Sequence, residues 1–203
     1  MEAGACIHVG ELKRDLLGRV ELVRCGDRLV VRRCRSRMPG IALVARLLAR
    51  REQHALRALA GLDGVPAIAA PPAGRETYRS WIPGEPLSLV TELRRDFFDR
   101  LEALVEQLHE RGVCHNDLHK EVNILVREDG TPAVIDFQLA SVHAARGREF
   151  RRRADEDIRH VRKHRRRYLR GMAGASFACP AAEVAVPAPR RLSRLWRRLW
   201  KPF

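Results

Sequence analysis

Residues 115–137 read HNDLHKEVNILVREDGTPAVIDF, and three polar side chains stand out from an apolar framework: Asp117 just after His115, Asn123 opening an aliphatic run, and Asp136 closing another. Asn123-Ile-Leu-Val and Ala133-Val-Ile read as two strands joined by a turn at Glu128-Asp129-Gly130. Such a hairpin holds Asn123 and Asp136 together at its open end, where an oxygen from each suits a hard divalent cation. Asp117 lies one loop away. The pattern fits phosphoryl transfer, in which positioning and charge neutralisation supply most of the catalysis.

Composition narrows the classes. A chain of 203 residues has room for one medium domain or two small lobes, and 45% hydrophobic content argues for a folded protein. The five cysteines (Cys6, Cys25, Cys34, Cys114, Cys179) are odd in number and never spaced C-x-x-C. Reduced thiols in a cytosolic protein are therefore expected, with no disulfide framework and no zinc site. The N-terminal MEAGACIHVGELKRD has acids and no apolar centre, unlike a signal peptide, and no apolar run approaches the ~18–20 residues that span a bilayer. The net charge of +14 is uneven: residues 1–143 balance at +1, and residues 144–203 hold +13. A basic tail on a nearly neutral body implies an anionic partner, membrane or nucleic acid.

Upstream, Arg19–Arg24 and Arg28–Arg35 flank Cys25-Gly26-Asp27 and predict a β-hairpin. Beyond Pro39-Gly40, IALVARLLARREQHALRALAGL predicts a helix ended by Gly61, with Leu48, Leu56 and Leu59 at helical spacing. Glu52 falls on the same stripe, four residues from both Leu48 and Leu56. A carboxylate there either snorkels to water or takes a cationic partner inside the core. Residues 65–80 read as short strands around Pro71-Pro72, and Trp81-Ile-Pro-Gly-Glu-Pro-Leu87 as a stiff connector between lobes. A second helix, about Asp96 to Arg111, buries Phe97, Leu101, Leu104, Val105 and Leu108. Arg151–Leu169 predicts a third, very basic helix, in which Asp155 and Asp157 are expected to form local salt bridges.

Hairpin, helix with an inward Glu, connector, helix, H-x-D loop, hairpin, I-D-F: that order resembles the α+β, bilobal protein-kinase-like fold over roughly residues 18–170. Within it the chain looks most like small atypical bacterial kinases related to RIO kinases and to lipopolysaccharide (Kdo and heptose) kinases. The resemblance implies ATP and Mg2+ as cofactors. His115-Asn116-Asp117-Leu118 is similar to the catalytic-loop motif, which makes Asp117 the base and His115 a scaffold residue. Asn123 matches the metal-binding Asn, and Asp136 of Ile135-Asp136-Phe137 the metal-binding Asp. Lys120 is either a contact to the transferred phosphate or plain surface charge. The implied domain covers residues 1–170, with an N-lobe at about 18–80 and a C-lobe at about 86–170.

The chain departs from that pattern in several places. Asp117 to Asn123 is one position longer than the usual loop, Gln138 replaces the flexible Gly after Phe137, and no G-x-G-x-x-G loop is present. No A-P-E motif follows, which implies a minimal C-lobe without an activation loop. On the strand expected to carry V-A-I-K stands Val30-Val31-Arg32. Val30 is then expected to face the adenine, and Arg32 to bind phosphate and pair with Glu52. Arg keeps the charge of the usual Lys but differs in shape. Arg33 is a second candidate for that role, and a solvated Arg32 is the bland alternative.

Residues 171–189 read as a linker and 190–203, RRLSRLWRRLWKPF, as a basic amphipathic helix. Its Trp and Arg side chains suit the headgroup layer of an anionic bilayer; packing back onto the body and nucleic-acid binding are the alternatives. The expectation is an ATP-dependent phosphotransferase acting on a hydroxyl of a protein or a lipopolysaccharide core sugar. Its expected location is the cytoplasm, peripheral on the inner membrane. A pseudokinase scaffold attached to the membrane is the competing expectation, and an RNA-associated kinase of RIO type a third.

Overall fold

A computed structural model describes residues 6–173. Its first unit is a five-stranded antiparallel sheet, ordered β1-β2-β3-β5-β4, from β1 (Ile7–Asp15), β2 (Gly18–Cys25), β3 (Arg28–Arg35), β4 (Ile68–Ala73) and β5 (Glu76–Ser80). The sheet begins eleven residues before the expected boundary near residue 18, because β1 alternates too weakly to be recognised by pattern. Its register, with Ile7 opposite Arg24, sets Cys6 across from Cys25, and the two form a disulfide. That corrects the expectation of reduced thiols throughout; Cys34 and Cys114 are free. The turn between β4 and β5 falls at Gly74-Arg75, after Pro71-Pro72, which belong to β4.

Directly opposite residues share a face of a sheet. Val20, Leu22, Val31, Arg33, Thr77 and Arg79 therefore form one side; Glu21, Arg32, Cys34, Glu76 and Tyr78 form the other. Helix α1 (Pro39–Ala58) opens on a proline suited to the first helical turn and turns Ala45, Ala49, Glu52, Gln53, Ala55 and Leu56 inward. It also packs against residues 137–139, tying the sheet to the second lobe.

That lobe is built on α2 (Phe97–Glu110), whose Phe97, Leu101, Leu104, Val105 and Leu108 are all buried, as their spacing predicts. Each such side chain contributes about 1.5–3 kcal/mol on burial. They meet Val113, Leu118, Ile124, Val134 and Phe137 in one core. Short strands β7 (Val113–Cys114) and β10 (Ser141–Val142) pair with each other; β6 (Glu85–Pro86), β8 (Ile124–Val126) and β9 (Pro132–Val134) form a three-stranded sheet. Helix α3 (Arg148–Ala173) lies across α2 and directs Asp157, Val161 and His164 inward. The fold is thus α+β, protein-kinase-like and bilobal, with a minimal second lobe. Beyond residue 173, the expected linker and basic helix lie outside the described residues. No helix among the described residues is long and apolar enough to cross a membrane.

Candidate active site

Helix α2 stops at Gly112, whose φ of 75° and close approach to the His143 carbonyl oxygen leave no room for a Cβ. Strand β7 then delivers His115, which is fully buried. The Asp117 amide donates to His115 Nδ1 at 3.2 Å, so the proton is on Nε2, which donates to the Ile135 carbonyl at 3.0 Å. One neutral imidazole thus ties the loop bearing Asp117 to the segment bearing Asp136, and its ring packs on Phe137. Burial pushes the His115 pKa below its ordinary value, against the weaker pull of Asp157, Asp136 and Asp117. Asn116 adopts the left-handed conformation (φ 65°), and its side chain donates to the Leu139 carbonyl at 2.9 Å.

The loop is anchored from beneath by a residue for which only local salt bridges were expected. Asp157 is fully buried and accepts hydrogen bonds from the His115 amide (2.7 Å) and the Asn116 amide (2.9 Å). Two turns further along α3, His164 Nε2 bonds the Leu118 carbonyl at 2.8 Å. The 157/161/164 spacing was the available signal: a helical stripe within a run of arginines. The charges around it masked it.

Asp117 is buried, and its Oδ2 accepts from the Asn123 amide nitrogen at 2.9 Å and from Lys120 Nζ at 3.0 Å. Its Oδ1 is buried without a hydrogen-bond partner, with His119 Nδ1 3.2 Å away. The hairpin brings Asn123 and Asp136 together: the Ile135 amide donates to the Asn123 carbonyl at 2.9 Å, and Ile124 faces Val134. Asp136 sits at the end of β9 in the left-handed conformation (φ 66°), a geometry Asp tolerates. Its buried Oδ1 also lacks a hydrogen-bond partner. Burial alone would raise the Asp136 pKa, but Arg33, then Arg79, His115 and Lys13, outweigh it and hold the carboxyl below its ordinary value.

Across the cleft, the residues assigned on β3 shift by one. Arg32 does not meet Glu52; it turns to the opposite side of the sheet and binds Glu21 at 2.7 Å. Arg33 takes the inward position, 3.8 Å from Glu52 and 3.6 Å from Asp136. Val31 lines the cleft in place of Val30 for the same reason. A strand alternates strictly, so an error of one residue exchanges its two faces, and Val30-Val31-Arg32-Arg33 offers no contrast to reveal it. Glu52, 2% exposed, is held by Arg79 of β5 at 2.6 Å, with Arg33 as the second cation. Lys13 and Leu12 of β1, with Trp81 and Ile82 of the connector, complete the walls.

The site therefore holds two buried carboxylate oxygens that make no hydrogen bond, one on Asp117 beside His119 and one on Asp136, and sets Asp136 against a cationic wall of Lys13, Arg33 and Arg79. The Arg33 Nε is itself a buried donor without a hydrogen-bond partner. Unmet buried acceptors beside unmet buried donors are costly unless a ligand meets both. The donor set fits a divalent cation carrying phosphate: Asp136 and the side-chain oxygen of Asn123 are hard ligands, and the arginines take the phosphate charge.

Fold and residue arrangement together are protein-kinase-like. Residues 35–146 match the APH phosphotransferase enzyme family, and the chain belongs to that family. Over 112 residues it is 36% identical to a probable SapB synthase of Streptomyces coelicolor, covering 54% of this chain and 12% of that protein. Over 74 residues it is 35% identical to the CBL-interacting serine/threonine-protein kinase 16 of Arabidopsis thaliana, covering 36% of this chain and 16% of the kinase. The chain thus spans less than a fifth of these relatives. Among solved structures, the Rio2 kinase of Chaetomium thermophilum superposes with a TM-score of 0.64 at 20% identity, covering 77% of this chain and 55% of that one. Its ADP/Mg2+-phosphoaspartate complex gives 0.59 at 20% identity, covering 80% and 55%. At that identity the likeness carries the fold.

Proposed function

We propose that the chain is an ATP- and Mg2+-dependent phosphotransferase that moves the γ-phosphate of ATP to a hydroxyl acceptor. The observation that carries this reading is that Asn123 binds Asp117 and pairs through its backbone with the segment bearing Asp136, whose Oδ1, without a hydrogen bond, lies 3.6 Å from Arg33. Mg2+, when bound, neutralises phosphate charge and aligns the transferred group. Asp136 and Asn123 are the residues to hold it. Asp117, kept in place by Asn123, Lys120 and the His115 scaffold, orients the acceptor hydroxyl and takes its proton. Arg33 and Lys13 neutralise the non-transferred phosphates, and Arg79 keeps Glu52 from drawing Arg33 away. Val31, with Trp81 and Ile82, offers the base an apolar slot.

The acceptor is proposed as a protein Ser/Thr or a lipopolysaccharide core sugar, reached at the cytoplasmic face of the inner membrane, where residues 190–203 would hold the chain to an anionic surface. Nucleic acid is the lesser alternative for that segment. One specific observation favours a pseudokinase scaffold instead: Arg33 stands 3.6 Å from Asp136 and competes with a cation for that carboxylate. A thermal-shift titration separates the readings. Stabilisation by ATP that requires magnesium supports the enzyme; no stabilisation at millimolar nucleotide with magnesium present supports the scaffold.

A further inference from the structure

The side of α1 turned away from the cleft has a composition unlike an ordinary solvated surface. Leu43 is 61% exposed, Leu47 51%, Val44 49%, and Met38, just before the helix, 57%. At i, i+1 and i+4 the three helical residues form one continuous aliphatic patch in the N-terminal half of α1. Arginines adjoin it. Arg46, Arg50 and Arg57, with Arg35 of β3, surround a concavity between α1 and the β4–β5 turn, floored by Ala49, Thr77 and Gly74. Arg50 also borders the aliphatic patch, beside Leu47 and Val44, so the two features are contiguous.

The charge there is one-sided. The sole acid of α1, Glu52, is turned inward onto Arg79 and Arg33. No carboxylate among the described residues pairs with Arg37, Arg46, Arg50, Arg51, Arg57 or Arg75. Burial, and then the like charges of Arg46, Arg75 and Arg50, lower the Arg35 pKa. Within the concavity, Gln53 is 5% exposed and its Oε1 has no hydrogen-bond partner. Turned end for end, the amide would offer its NH2 to an anion there.

We propose that this surface is a docking site for an anionic bilayer, with Met38, Leu43, Val44 and Leu47 entering the acyl boundary and Arg35, Arg46, Arg50 and Gln53 receiving a phosphate headgroup. An aliphatic surface lined by His54 but by no Phe, Tyr or Trp suits lipid, whereas sequence-tolerant RNA binding relies on stacking along a series of aromatic side chains. The surface lies on the folded lobe, independent of residues 190–203 and of the phosphotransferase reading.

Co-sedimentation of the full chain with phosphatidylcholine vesicles, with and without roughly a third phosphatidylglycerol, tests it. Wild type is expected to bind the anionic vesicles and to be released by salt. Leu43→Asp/Leu47→Asp is expected to weaken that binding about tenfold or more, at unchanged Tm, because exposed sites are altered. Arg46→Ser/Arg50→Ser leaves the apolar patch intact and should lose the preference for anionic vesicles by about tenfold. Wild-type affinity in both variants overturns the proposal, since binding then resides elsewhere in the chain. So does equal binding to neutral vesicles, or variants that lose affinity for a single-stranded RNA but keep it for vesicles.

Discussion

The Asp157 carboxylate on α3 receives the backbone amide of His115 at 2.7 Å, so the third helix holds the loop that presents Asp117. The same carboxylate also serves Asn116 and lies 3.3 Å from His109. Replacing it with Ala leaves the buried His115 amide and the half-buried Asn116 amide unmet, each costing up to about 1–3 kcal/mol. Asp157→Ala is expected to lose roughly 2–6 kcal/mol in urea denaturation, and Asp157→Asn, which keeps one acceptor, distinctly less. Equal stability of Asp157→Ala and wild type would remove Asp157 as the anchor.

Asp117 is the proposed base, and its change should act on chemistry more than on binding. Asp117→Ala is expected to slow ATP-dependent transfer by about 10²–10⁴-fold while nucleotide affinity by thermal shift stays within a few-fold. Unchanged turnover would eliminate the assignment.

The two arginines of β3 predict opposite phenotypes. Arg32→Ala strips a partner from Glu21, which is 4% exposed, and should cost about 1–3 kcal/mol of stability with nucleotide affinity retained. Arg33→Ala should instead weaken ATP binding about tenfold or more, since a charge-assisted contact to phosphate is lost. Calorimetric titration with ATP and Mg2+, beside a melting curve for each variant, distinguishes them. The reverse assignment would return the phosphate role to Arg32.

His115 predicts a pH dependence whose sign follows from its lowered folded pKa. Above the unfolded value of about 6.5 both states are neutral and the stability is fully present. As pH falls below that value the unfolded chain takes up a proton that the folded site resists, and stability declines toward the folded pKa. Tm should therefore drop between about pH 7 and 5, and His115→Gln, with no such proton to exclude, should show a shallower slope. Parallel slopes would refute a buried neutral imidazole.

Patterns with local physics were readable along the chain. The alternation and turn of the 124–134 hairpin, the α2 stripe from Phe97 to Leu108, and the inward Glu52 follow from periodicity, because a helix or strand commits each residue to a face. Asp117, Asn123 and Asp136 were legible as a set through their spacing. Strand β1 was missed, and with it Lys13 in the cleft wall and the partner of Cys25, since an edge strand with bulges carries little alternation.

By itself, then, the sequence determined the helices and most of the strands, the hairpin that pairs Asn123 with the segment bearing Asp136 and the Asp117 loop before it, and the α+β kinase-like fold of the body. Only the tertiary structure decided which arginine faces the cleft, that Arg79 holds Glu52, and that Asp157 and His164 brace the loop bearing Asp117. The reason is physical: local patterning constrains a residue's face to within one step of register, whereas a partner tens of residues away is chosen by the packing of whole elements. Val30-Val31-Arg32-Arg33 carries apolar and cationic residues on both faces alike, so the register of β3 against β2 and β5 made the choice.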